Sequence, residues 1–157
     1  VLFVSNAEKL VSRGSHPQEA VERMIFELEK AISVFHQTQN VNTAYVCGSY
    51  ANGTATERSD LDFAILPVAK MSLMEEMRLQ SALSEALSFE DIDLVNLLNA
   101  PTRLQFNLVS TGRLIYEKDT DFTDDYTELL LKHYYEKKHR YRSYQTDLET
   151  GLKEDYG

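Results

Sequence analysis

No apolar run in this 157-residue chain approaches the roughly 20 residues that a membrane-spanning helix needs, so no membrane association is expected. Cysteine is reduced to one residue, Cys47, which excludes an internal disulfide and makes a reducing cytoplasm the expected compartment. The opening Val1-Leu2-Phe3-Val4 lacks the length and the basic flank of a secretory signal. Basic residues are outnumbered, 16 Lys and Arg against 25 Asp and Glu, and a formal net charge of −9 argues against a binder of phosphate backbones. Direct nucleic-acid binding is therefore not expected, although a few bases suffice to grip one nucleotide. A Gly-x-x-x-x-Gly-Lys-Ser/Thr loop is missing too, which excludes a P-loop NTPase. His16, His36, His133 and His139 never fall at metal-ligand spacing with a second His or Cys, and read as surface or helix-packing residues. The three prolines and six glycines are scattered, and no repeat or low-complexity segment occurs. Nothing marks a domain boundary, so one domain is expected over 1–157.

What is present reads as α/β. Ser5-Asn6-Ala7-Glu8 has the form of a capping box, with Gly14 ending the short helix it starts. Ser15-His16-Pro17-Gln18 repeats the signal, and Val21, Met24, Ile25, Leu28, Ile32 and Phe35 then follow helical spacing. A polar loop from Gln37 to Asn42 leads into the apolar run Thr43–Cys47, a buried strand ending at a Gly-Ser turn. A second strand runs from Asp60 to Leu66. Ser72-Leu73-Met74-Glu75 then opens a helix with Met77, Leu79, Leu83, Ala86 and Leu87 on its apolar side. Asp91–Leu97 alternates as a third strand, and strand, helix, strand at this spacing fits a βαβ crossover. Pro101-Thr102 opens a short helix stopped by Gly112, Leu114-Ile115-Tyr116 reads as an edge strand, and an acidic connector follows. The last long helix, about 124–148, carries Tyr126, Leu130, Tyr134, Tyr141, Tyr144 and Leu148 on one stripe. That stripe fits packing on the protein's own body, and it equally has an interface composition. The expected catalytic core is about 18–117.

The chemistry concentrates in Gly48–Leu66. Residues two apart on a strand face one side, roughly 6.5–7 Å apart, so Asp60 and Asp62 present two carboxylates together. Such a pair repels unless a cation sits between, and Mg²⁺ is characteristically held by one or two carboxylates plus substrate phosphates. Gly48 and Ser49, at the end of the neighbouring strand, offer open backbone and a hydroxyl to those phosphates. The stretch thus proposes a site for a metal-bound triphosphate. Read blandly, Gly48-Ser49 is a tight turn whose hydroxyl satisfies backbone. Gly53 fits a turn with positive φ. Arg58 reads either as a phosphate contact or as a solvated loop charge. Cys47 reads as a buried, inert thiol.

Gly48-Ser49, the small-residue turn with Gly53, and Ser59-Asp60-Leu61-Asp62, followed by Asp91-Ile92-Asp93 on a later strand, resemble the DNA polymerase β-like nucleotidyltransferases. The resemblance is closest to their minimal nucleotidyltransferase branch. It implies a small mixed β-sheet flanked by helices, with a long C-terminal helix. It implies two Mg²⁺ ions on Asp60, Asp62 and Asp93, phosphate contacts from Gly48, Ser49, Arg58 and Ser59, and proton removal from the acceptor hydroxyl by Asp93. Periodicity alone leaves Asp91 and Asp93 as alternatives, and the family register favours Asp93.

In that branch the enzyme is the antitoxin of a pair whose toxin is a HEPN-type ribonuclease. It transfers AMP from ATP to a toxin tyrosine. The resemblance therefore implies ATP as donor and a HEPN-type toxin as partner; the sequence leaves open whether the chain forms a homo- or hetero-oligomer. Two other readings stand beside it. One is a non-catalytic module that neutralises its partner by contact, against which the cost of unpaired carboxylates speaks. The other is modification of a small molecule such as an aminoglycoside, for which no substrate domain is visible.

Overall fold

The computed structural model describes residues 17–48, 51 and 60–156. The capping box at Ser5, the helix it starts, its stop at Gly14, the repeated signal at Ser15-His16, and Ser49, Gly53, Arg58 and Ser59 lie outside the described residues.

Helix α1 (Pro17–Gln37) leads into strand β1 (Val41–Cys47), followed by strand β2 (Leu61–Pro67). Helix α2 (Leu73–Leu87) then crosses to strand β3 (Ile92–Asn96), and a single 3₁₀ turn spans Leu97–Asn99. Helix α3 (Thr102–Thr111), strand β4 (Arg113–Glu117) and helix α4 (Thr120–Tyr156) complete the chain. The four strands form one mixed sheet in the order β3-β2-β1-β4. β1 pairs antiparallel with both β2 and β4, while β2 and β3 are parallel, joined by the expected crossover through α2.

Strand alternation decides which helix covers which face. Ala44 and Val46 on β1 and Leu61, Phe63 and Ile65 on β2 share one core with Met24, Leu28 and Phe35 of α1 and Leu79, Leu83 and Leu87 of α2. Phe35 meets Phe63 edge to face at 5.6 Å at its centre. The residues between them, Tyr45, Cys47, Ala64 and Leu66, build a second core on the other face, against Leu108 and Val109 of α3 and Phe122 and Tyr126 of α4. The central strands are thus covered on both faces, which is why they read as continuous apolar runs. Asp62 falls on the second face, two residues before Ala64.

The helix start expected at Ser72 is a capping box. Ser72 Oγ accepts from Glu75 N, and Glu75 Oε2 accepts from Ser72 N at 2.7 Å. Three expectations need correction. Met77 is exposed, because it lies two residues, about 200°, from the buried Leu79. Asn42 is not loop but buried strand, where its side chain donates to Thr43 Oγ1, Thr123 Oγ1 and the Asp119 carbonyl and accepts from Asp119 N. That network holds the start of α4 against β1. The last helix begins at Thr120 and continues to Tyr156, so part of the acidic connector is its first turns. Acidic residues suit that position, since a helix N-terminus carries partial positive charge.

Candidate active site

Two strand ends and one carboxylate pair build the site. β1 runs straight into Gly48, whose φ of +67° is a conformation that side-chain-bearing residues rarely adopt. Ala51 N donates to Gly48 O at 3.1 Å, turning the backbone sharply. Across β1 and β2, Cys47 stands opposite Asp62. Gly48 therefore lies against that carboxylate: a Cβ placed on it would come within 2.6 Å of Asp62 Oδ2. On the other side, the parallel register sets Asp62 level with Asp93. Strands in a sheet are about 4.8 Å apart, so the two side chains share one face at hydrogen-bond range.

The electrostatics follow from this placement. Burial, then the charge of Asp93, a hydrogen bond to Asp93 and the charge of Asp60 hold the Asp62 carboxyl above the usual carboxylate range. Removing a group from water and facing it with like charge both disfavour its ionised form. Asp60 lies just before β2, exposed. Asp91 lies before β3, also exposed, and its carbonyl accepts from Leu61 N, so its backbone joins the strand ends while Asp93 takes the position beside Asp62. Among the described residues, no three His, Cys, Asp or Glu side chains converge as a ready metal cage. The arrangement is a pair, Asp62 and Asp93, with Asp60 at the strand entrance.

An open cleft of about 700 Å³ lies over the pair, lined by Cys47, Gly48, Asp62, Gln80, Asp93, Leu94, Val95, Asn107, Leu108 and Thr111. Burial and the neighbouring Asp62 push the Cys47 thiol up to about 11, so it enters the cleft wall as an inert group, as the sequence reading expects. Of the expected site residues, the structure brings Gly48, Asp62 and Asp93 together and sets Asp60 at the approach.

Four polar residues of the neighbourhood escape sequence reasoning. Gln80 anchors through its Nε2 to the Ile92 carbonyl at 2.7 Å and lines the cleft from α2. Asn107 and Thr111 line it from α3, one turn apart, a spacing that sequence could have flagged as a shared polar face. Arg113, at the start of β4, donates from Nε to the Ala51 carbonyl at 2.9 Å and braces the turn after Gly48.

Comparison with known proteins agrees with this architecture. The family described as "Polymerase beta, Nucleotidyltransferase" matches residues 29–121. Protein adenylyltransferase MntA of Shewanella oneidensis is 34% identical over 77 residues, which are 49% of this chain and 55% of MntA. The chain thus spans about half the length of the curated relative it matches. Among solved structures, a toxin–antitoxin complex with AMP-PNP contains a chain superposing at a TM-score of 0.65 with 24% identity, over 77% of this chain and 97% of that one. A tri-AMPylated Shewanella oneidensis HEPN toxin in complex with an MNT antitoxin contains another, at a TM-score of 0.62 with 21% identity, over 80% and 98%. At these identities the likeness is one of fold.

Proposed function

This chain belongs to the polymerase beta nucleotidyltransferase family, and we propose that it is a protein adenylyltransferase that moves AMP from ATP to a tyrosine hydroxyl of a HEPN-type toxin, acting as its antitoxin. The observation that carries the reading is the pairing of Asp62 with Asp93 on parallel strands, beside a positive-φ glycine at the mouth of an open cleft. The named relative is a protein adenylyltransferase, and an antitoxin of similar fold is bound to a toxin that carries AMP. Both support the transfer of that activity to this chain.

The donor set suits magnesium. Its atoms are carboxylate oxygens, and Asp62 is held in a state that a cation would relieve. Asp62 and Asp93, with Asp60, would hold two Mg²⁺ ions, which when bound neutralise the triphosphate and lower the cost of ionising the acceptor hydroxyl.

The chain's own residues supply the rest. Gly48 leaves room for phosphate oxygens to approach backbone without a side chain in the way, and Ser49 and Ser59 donate to them, with Arg58 as a further phosphate contact. Asp93 accepts the proton of the acceptor hydroxyl. The acceptor oxygen then forms its bond to the α-phosphorus, the bond from that phosphorus to the bridging oxygen breaks, and pyrophosphate departs. Asn107, Thr111 and Gln80 offer hydrogen bonds to the nucleotide or to the acceptor segment from the cleft wall.

The test is label transfer. With Mg²⁺, ATP labelled at the α-phosphate and a HEPN toxin, the toxin gains label, and Asp62→Asn or Asp93→Asn abolishes the gain. A toxin that is neutralised by the Asp62→Asn protein as well as by wild type would replace this reading with neutralisation by contact. Label on an added aminoglycoside but not on the toxin would replace it with small-molecule modification.

A further inference from the structure

Half of α4 belongs to the body and half leaves it. Leu130 is buried and Tyr126 packs into the core on the α3 side. Tyr134 stacks on Phe106 of α3 with ring centroids 3.7 Å apart. Lys137 Nζ still donates to Thr102 Oγ1 at 2.9 Å, yet every residue from 135 to 150 is exposed.

The exposed half is not uniformly polar. Tyr141 and Tyr144 are each 63% exposed and Leu148 is 48% exposed. Tyr134, Tyr141 and Leu148 recur at intervals of seven, with Tyr144 between them, in line with the stripe that packs the first half of the helix. A repeat of seven is the period at which two helices keep one seam in contact. In heptad terms Tyr134, Tyr141 and Leu148 occupy a, and Lys137, Tyr144 and Gly151 occupy d.

Charge identifies the occupant. Residues 132–142 carry Lys132, Lys137, Lys138, Arg140 and Arg142 against Glu136 alone. The sign then reverses at Asp147 and Glu149, with Glu154, Asp155 and Lys153 following in the sequence. A helix with opposite charge in its two halves complements itself when a second copy runs antiparallel, because each basic stretch then meets an acidic one. With Tyr141 level with Tyr144 of the second copy, the g-position Arg140 lies beside Asp147 of that copy, and the two-fold axis repeats the contact. A parallel pair would set basic against basic.

We propose that the exposed half of α4 pairs with the same segment of a second copy of this chain, as an antiparallel two-helix seam centred between residues 142 and 143. Centred there, the exposed stretch 135–150 meets itself over 16 residues, roughly 24 Å or a little over two heptads, and Lys137 at a d position limits its strength. The contact is therefore reversible on dilution.

Sedimentation of the 157-residue chain across a dilution series tests this. The expected mass is twice the 18.0 kDa of the chain at high concentration, falling to one copy on dilution. Arg140→Asp alone or Asp147→Arg alone reduces the association at least tenfold, and the double variant regains it, a rescue that only antiparallel pairing in this register provides. Circular dichroism checks that each variant keeps its helix content. A wild type that stays at one copy throughout overturns the proposal, including one that associates only when a toxin is added. A dimer indifferent to both reversals, or a double variant that is not rescued, overturns it as well.

Discussion

A Cβ on Gly48 would sit 2.6 Å from Asp62 Oδ2, so the end of β1 and the carboxylate on β2 are in contact with no room between them. The glycine is required twice over, by this approach and by its φ of +67°. Gly48→Ala is expected to lower stability by roughly 1–2 kcal/mol from the left-handed conformation alone. Displacement of Asp62 adds to this, and under the proposed function it also removes the thermal shift that Mg²⁺ and ATP are expected to give the wild type. Denaturant unfolding with and without MgATP reads both. A variant of wild-type stability with an intact shift would mean that the turn relaxes freely.

Asp62→Asn separates charge from shape. Because the fold raises the carboxyl of Asp62, its ionised form is destabilising in the metal-free protein. That penalty is absent at low pH, where the group is protonated in both states, and grows as pH rises through the carboxylate range. The Asn variant is therefore more stable than metal-free wild type at pH 7, and the advantage closes below the unfolded carboxylate pKa of about 3.9. Unfolding in a chelating buffer from pH 3 to 8 shows the sign. Wild type being the more stable at pH 7 would argue that a hydrogen bond outweighs the repulsion.

Cys47 lines the cleft, yet its thiol is pushed up to about 11 and its residue is 3% exposed. Iodoacetamide at pH 8 is expected to alkylate native protein at least a hundredfold more slowly than protein in denaturant. Rapid native alkylation, followed by intact mass, would contradict the burial.

Asn42 ties β1 to the start of α4 through four hydrogen bonds of its side chain. Asn42→Ala leaves the buried Thr43 and Thr123 hydroxyls short of a partner and opens a cavity. The expected loss is about 2–4 kcal/mol, or several degrees in Tm. An unchanged Tm would show that water or the two threonines, already 2.8 Å apart, restore the network.

The amino-acid sequence by itself determined the strands, the helix capped at Ser72, the glycine turn and the acidic pattern that marks a nucleotidyltransferase. These signals are local. Apolar alternation, a Ser72–Glu75 box or an Asp-x-Asp spacing is written within a few residues and constrained by backbone geometry at that place. Only the tertiary structure decided how the pieces meet. Asp93 rather than Asp91 stands beside Asp62 because of strand register, which depends on burying Ile92 against Leu61 across the chain. Gln80, Asn107 and Thr111 face the cleft because α2 and α3 dock on opposite faces of the sheet, a choice no local pattern encodes. The tyrosine stripe of α4 is continuous in sequence, but it divides where it passes the N-terminal end of α3 at Thr102. Up to Tyr134 it has a surface to bury against, and beyond that point it does not.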